Sequence, residues 1–452
     1  MSHWTSTITH ISALRQRRRT VVENHEFPPQ PIATHASGVP HEQVDKHGAP
    51  LLLKSHALSF FAWSNQSAVL RRIMIFSFLT TILLSLSILL AHSSQSQTSP
   101  TDACFESTET LEDLVDCFEV HTVRAAFYDA DSYAAAQPTD IEREAWSQAV
   151  ATLLHTNNNC SSSIVPPLLR DIYSASSFTD VDGQSFCVLY EQTVSATSNY
   201  FEKGWGFMVV PASEEGVARQ IHLAGPHPFT DGTTSAEATH SFKGTGAKSL
   251  LIPGRVRTAF SSPSTCVQGT ATTTYWMTDV AHNDLEPFFD ANVAIWNWQV
   301  QQGGCPSASC AFIQFHGKAD TSCPKDTVFL STGLANNTWY TDDVDRPIKR
   351  IKEQLLLAFN SPGGPNATSP ITASLPSDSN CSLVATKTVV ARYLNNLPTV
   401  ASHDVCVDNS SPDTTEGVFI HAEQYWPTVA AVSRTAWVVT LNNTFNVVNK
   451  SR

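Results

Sequence analysis

Between residues 171 and 424 the chain repeats one pattern: a short apolar run ends in polar residues and gives way to a helical or turn segment. Such alternation predicts strands and helices in turn, and so an α/β fold with an open mixed, mostly parallel sheet flanked by helices. The strand candidates are FCVLYEQTV, WGFMVVPA, RQIHLAGPH, SLLIPGRVR, CAFIQFHG, TVFLSTG and VFIHAEQ. SAEATHSFK, DLEPFFDANVAIWNWQVQQ and RPIKRIKEQLLLAF read as helices between them. Residues 104–170 form an N-terminal helical segment, in which Thr139 after Pro138 stands as the cap of DIEREAWSQAVATLLHT. Ser361–Cys381, rich in Pro, Gly and Ser, reads as a surface loop.

A second feature divides the chain. Ile73–Ala91 is nineteen residues without a charge, preceded by Arg71 and Arg72. That length spans a membrane, and the arginines keep the N-terminus cytoplasmic, which makes the run a type II signal anchor. A start at Met74 makes the same run a signal peptide leaving at Ala91-His92-Ser93. Either way, Ser94 onward lies outside the cytosol, in a secreted or single-pass membrane protein. Residues 1–70 read as a disordered tail, 71–92 as the anchor or signal segment, 93–103 as a linker and 104–452 as one extracytoplasmic domain with its sheet in 171–452.

The cysteines agree with that division. All ten, from Cys104 to Cys406, follow the apolar run, as expected of a chain folded in an oxidising compartment with up to five disulfides. Sequons begin at Asn159, Asn336, Asn366, Asn380, Asn409, Asn442 and Asn449, against only Asn65 upstream, which predicts a glycoprotein. A net charge of −13 argues against a nucleic-acid partner, because phosphate binding needs a basic surface. No C-x-x-C, G-x-S-x-G, H-E-x-x-H, P-loop or dinucleotide fingerprint is present.

Four apolar runs deliver polar groups at their C-terminal ends, where α/β sheets collect ligands. Ala311–Ala319 carries His316, exposed at the sheet edge; Gln220–Asp231 carries His227 and Asp231; Tyr275–Asn283 carries His282; Val418–Gln424 carries His421 and Glu423. Imidazole and carboxylate together suit zinc and related ions. Taken alone, Asp231 reads equally as the cap of the next helix, and Asp279 as a cap beside His282. Glu423 is placed to act as a general base, with His421 on the same side of the strand. Arg255 and Arg257 offer forks that match a substrate carboxylate, or a structural ion pair.

A metal-binding turn after a strand, a later strand ending in histidine and a final strand carrying a glutamate resemble the zinc carboxypeptidases and their relatives, the N-formylglutamate amidohydrolases and poly-γ-glutamate hydrolases. In that family the turn reads His-x-x-Glu. Here it reads His227-Pro-Phe-Thr-Asp231, with the acid one place later and shortened to Asp. The resemblance implies Zn held by His227, Asp231 and His316, Glu423 as the base, and His282, Arg255, Arg257 and His421 around a small-molecule or peptide substrate. In overall style the chain also resembles secreted fungal proteins. The expected function is a metal-dependent hydrolase of an amide or peptide bond outside the cytosol. The alternative is a non-catalytic, glycosylated, disulfide-bonded binding domain in which the histidines sit apart.

Overall fold

The computed structural model describes residues 99–448, apart from 336, 367–369, 397–402, 426–427 and 429. The tail, the anchor or signal segment and most of the linker lie outside these residues. Among the described residues no helix is long and apolar enough to cross a membrane.

Among the described residues nine strands build one sheet: β1 (Tyr173–Thr179), β2 (Ser185–Glu191), β3 (Phe207–Pro211), β4 (Gln220–Ala224), β5 (Ser249–Ile252), β6 (Cys310–Gly317), β7 (Val328–Ser331), β8 (Ala373–Ser374) and β9 (Phe419–Gln424). Their order is β1-β2-β3-β5-β4-β6-β9-β7-β8. The central run β5-β4-β6-β9 is parallel, as is β7-β8, while β1-β2-β3-β5 and β7-β9 pair antiparallel. The mixed α/β sheet is as expected, with parallel pairing in half of its junctions. Short apolar runs carry no sign of strand direction, which is why the antiparallel meander β1–β3 was not separable from the parallel centre.

The helices are α1 (Pro100–Ser107), α2 (Leu111–Val120), α3 (Ala130–Ala136), α4 (Asp140–Leu154), α5 (Thr234–Thr245), α6 (Pro287–Gln301), α7 (Asn337–Thr341), α8 (Pro347–Asn360), α9 (Val389–Asn395) and α10 (Arg434–Thr444). Thr139 opens α4 through a capping box with Glu142. In α8, Ile348, Ile351, Leu355 and Phe359 recur at helical spacing and are all buried. One sheet face presents Ile221, Leu223, Ile313, Phe315, Ile420 and Ala422 to the main core, and Trp437 of α10 packs edge-on against Phe315 there. The opposite face meets α6, where Trp296 packs on Phe312 and Gln299 hydrogen-bonds His222.

That arrangement places a site. The chain leaves β4 through α5 to reach β5 on one side, then returns through α6 to β6 on β4's other side. The connections diverge between the C-terminal ends of β4 and β6, and a crevice opens at such a switch point. The expected apolar run Tyr275–Asn283 is not a strand. Its backbone turns tightly, with Asp279 N donating to Trp276 O at 3.0 Å and His282 N to Asp279 O at 2.9 Å. Its buried side chains lie in consecutive positions (Thr278, Asp279, Val280, Ala281), which a strand would send to opposite faces.

All ten cysteines are paired: 104–117, 160–187, 266–406, 305–310 and 323–381. Cys266–Cys406 closes a separation of 140 residues and ties the loop carrying Asp279 and His282 to the segment leading into β9.

On the core face, Trp437 Nε1 donates to Gln424 Oε1 at 2.8 Å, and Gln424 Nε2 donates to Glu237 Oε2 at 2.6 Å. Burial pushes the Glu237 carboxyl up to about 8, against the pull of Gln424 and Arg434. A carboxyl whose folded value exceeds its unfolded value of 4.5 stabilises the fold fully below that value. The contribution is lost as pH rises from there to about 8. Glu119 and Glu191, pushed to about 7 by burial, share the trend. Glu237→Gln keeps the acceptor for Gln424 and removes the charge. Thermal melts at pH 5 and pH 9 are expected to show a smaller gap in this variant, with a gain at pH 9 on the order of a few kcal/mol. An undiminished gap would refute the assignment.

Candidate metal centre

The turn after β4 carries two of the expected groups. It closes with Asp231 N donating to His227 O at 3.2 Å. Phe229 takes φ 61 and Gly232 φ 73. Left-handed backbone costs a non-glycine residue about 1–2 kcal/mol. It lets the turn fold back so that His227 and Asp231, four apart, face each other: Nδ1 and Oδ2 are 3.0 Å apart. The guanidinium of Arg124 covers the Phe229 ring at 3.4 Å.

β6 brings His316 to the same point, with Nδ1 3.2 Å from both His227 Nδ1 and Asp231 Oδ2. The residue is 2% exposed, not at an open edge as expected, because β6 lies between β4 and β9 and helices cover both faces. Asp231 does not cap α5; the N-cap position of that helix is Thr233, which makes no side-chain cap hydrogen bond.

The triangle has a chemical consequence. His227 Nε2 lies 3.0 Å from Asp279 Oδ1, and in the tautomer that donates there Nδ1 keeps a lone pair. Arg257 Nη1 lies 3.4 Å from that same Nδ1. In that tautomer a lone pair, a carboxylate oxygen and a second ring nitrogen lie within 3.2 Å of one another, a set that can hold a cation between them. A tetrahedral ion bound at about 2.0–2.1 Å sets its ligand atoms roughly 3.3 Å apart, so the donor set and spacing fit zinc. Burial and Arg257 oppose charging of His227, but Asp231 and Asp279 outweigh them and raise its pKa. The triangle therefore attracts one positive charge.

Asp279 is the hub behind it. Besides His227 it accepts from Arg257 Nη2 at 2.8 Å and Nε at 3.2 Å, and its Oδ2 lies 3.1 Å from His282 Nδ1. Burial opposes its ionisation, yet His282, Arg257 and His227 hold it well below the carboxylate range. His282 in turn stacks on Tyr275, ring centroids 3.7 Å apart. In sequence Asp279 reads as a helix cap, and its Oδ1 does accept from Ala281 N at 3.2 Å.

β9 completes the cluster. Glu423 pairs in register with His316, and its side chain remains 14% exposed. Burial and the Asp231 charge push its carboxyl up to about 8. His421 lies with its ring 4.3 Å from that of His316 and its Nε2 3.5 Å from Glu423 Oε1. His316, His421 and Glu423 form a second group within reach of one ion. Of the two arginines, only Arg257 reaches the cluster. Arg255 is 1% exposed and its Nε donates to Glu286 Oε2 at 2.7 Å beneath Tyr128 and Tyr133.

No family model matches the chain, and no curated protein matches it. Among solved structures it is similar to a Shewanella denitrificans protein provisionally named a carboxypeptidase A, at 11% identity and a TM-score of 0.26 over 60% of this chain and 64% of that one. A provisionally named metallopeptidase from the same organism shares 11% identity with a TM-score of 0.24, over 60% and 82% of the two chains. The chain thus spans less than two thirds of the first. Likeness of this extent says nothing about the site, whose reading stands on its geometry.

Gly317 tests that geometry without touching a polar group. A Cβ there would sit 2.5 Å from the Asp231 carbonyl oxygen, which is backbone and cannot swing aside. Gly317→Ala is expected to displace the Asp231 turn and cost about 1–3 kcal/mol in urea denaturation. Unchanged stability would show the turn to be free of β6.

Proposed function

We propose that the chain is a metal-dependent hydrolase acting on an amide or peptide bond outside the cytosol. The observation that carries this reading is the triangle of His227 Nδ1, Asp231 Oδ2 and His316 Nδ1, with edges of 3.0–3.2 Å. These three residues would hold one zinc ion. Bound there, such an ion lowers the pKa of a coordinated water towards neutrality and polarises the carbonyl under attack.

The chain's own groups supply the rest. Asp279 fixes the tautomer and ring orientation of His227, as carboxylates behind metal-binding histidines do. Glu423, beside His316 and open to solvent on one side, would be returned to its ionised form by a cation held at the triangle, and then takes the proton of the attacking water and returns it to the departing amine. Arg257 is gripped by Asp279 but keeps 30% of its side chain exposed, so it can pair with a substrate carboxylate. His282 and His421 flank the position and contact substrate. Burial of the cluster strengthens each of these electrostatic contacts. Five disulfides fit a protein working outside the cytosol, as an enzyme or as the non-catalytic binding domain. The convergence of the histidines favours the enzyme.

The test is elemental analysis of the full chain made through a secretory pathway. About one zinc per chain is expected, lost in His227→Ala and in His316→Ala. Glu423→Gln should keep the ion and lower hydrolysis of a susceptible peptide about 10²–10⁴-fold. Unchanged zinc in His316→Ala would sink the assignment. Asp279→Asn should weaken zinc binding about 10–100-fold while Glu423→Gln leaves it intact, as followed by competition with a chelator.

A further inference from the structure

On the sheet face that carries His316 and Glu423, the adjacent row of paired residues is Ala224, Gln314, His421 and Ser331, from β4, β6, β9 and β7. Gln314, His421 and Ser331 are 2%, 5% and 0% exposed. Among the described residues, neither amide atom of Gln314 has a hydrogen-bond partner, nor do His421 Nδ1, Ser331 Oγ or His316 Nε2 in the row above. A buried polar group left alone costs about 1–3 kcal/mol, and folded proteins leave few. Others lie elsewhere among the described residues, but these share one patch against the candidate metal centre. The row beyond is Phe312 and Phe419, paired across β6 and β9, which bounds the patch with aromatic rings.

We infer that this row is the floor of the hydrolase's specificity pocket and that it receives an uncharged hydrogen-bonding side chain, a primary carboxamide such as that of asparagine or glutamine. As a statement about cleavage it rests on the hydrolase reading; as a statement about binding it does not. A carboxamide carries one carbonyl acceptor and two N–H donors, the same set that Gln314 offers, so the two amides can exchange hydrogen bonds side by side. Ser331 and His421 can each donate or accept, and take up the remainder. No Lys, Arg, Asp or Glu stands in the row to pair with a charged side chain. An aliphatic side chain would leave every polar atom of the floor unpartnered. Sites built to hydrogen-bond their ligand discriminate strongly against analogues that lack the group.

The experiment uses the full chain, with zinc content measured in parallel, and peptides identical except at one position bearing Asn, Gln, Asp, Lys or Leu. The wild type is expected to cleave next to Asn or Gln at least tenfold faster in kcat/KM than next to the others. In Gln314→Leu that preference should disappear, with the Leu peptide gaining and zinc content unchanged; Ser331→Ala should weaken it in the same direction and serves if the first variant does not fold. A wild type without preference, or a preference intact in both variants, overturns the inference. If the zinc-loaded protein cleaves no peptide, the hydrolase reading fails and the pocket is judged by binding. L-asparagine and L-glutamine should then raise the melting temperature of the wild type but not of Gln314→Leu, while L-glutamate and L-leucine should not. Absence of that shift overturns the pocket too.

Discussion

The bond between His227 Nε2 and Asp279 Oδ1 holds the candidate site in place, because it joins the β4 turn to a loop that has no regular structure of its own. A buried carboxylate is costly unless cations and donors surround it. Asp279 is 0% exposed and meets His227, Arg257 and His282 together. Arg257 is fixed from the other side, since Thr278 Oγ1 donates to Arg257 O at 3.1 Å and accepts from Phe260 N at 3.1 Å. The Cys266–Cys406 disulfide then ties this loop to the approach to β9, the strand that carries Glu423. Covalent and ionic links therefore converge on the orientation of one imidazole ring.

Strand register does the remaining work. His316 and Glu423 are cross-strand neighbours, so the candidate ligand and the candidate base cannot drift apart without breaking the β6–β9 ladder. The turn after β4 is the adjustable part. The left-handed Phe229 folds it back and brings the Asp231 carboxylate to 3.0 Å from His227. Strain of this kind persists where the surroundings fix it, and Gly317 packed against the Asp231 backbone is part of that fixation.

Much of this was legible in the chain. Strands β2–β7 and β9 follow from apolar runs bounded by turns, and His227, Asp231, His316, His421 and Glu423 stood out because each ends such a run. What stayed hidden depends on contacts between distant segments. Asp279 looked like a helix cap, but it closes only a local turn and the N-cap position of the next helix is Glu286; nothing local announces its three further partners. Arg255 and Arg257, two apart, look alike on paper, but β5 ends at Ile252 and the chain past it is not extended strand. One arginine goes to Glu286 and the other to Asp279. Gln314 lay inside the apolar run AFIQFHG, and its one local signal was a polar residue two places before His316, on the same face of a buried strand.

On the core face, Trp437, Gln424 and Glu237 hydrogen-bond in sequence, with Glu237 Oε1 left without a partner. On the other face, Gln314, His421 and Ser331 stand beside one another without doing so. Apolar residues of similar size would fill those positions at lower free-energy cost. Departures from local consistency collect at functional sites, where an external group completes what the fold leaves open. The unpartnered row adjoins the cluster of His227, Asp231, His316 and Glu423 at the β4–β6 switch point, and under the proposal a ligand bound at that cluster supplies the missing partners.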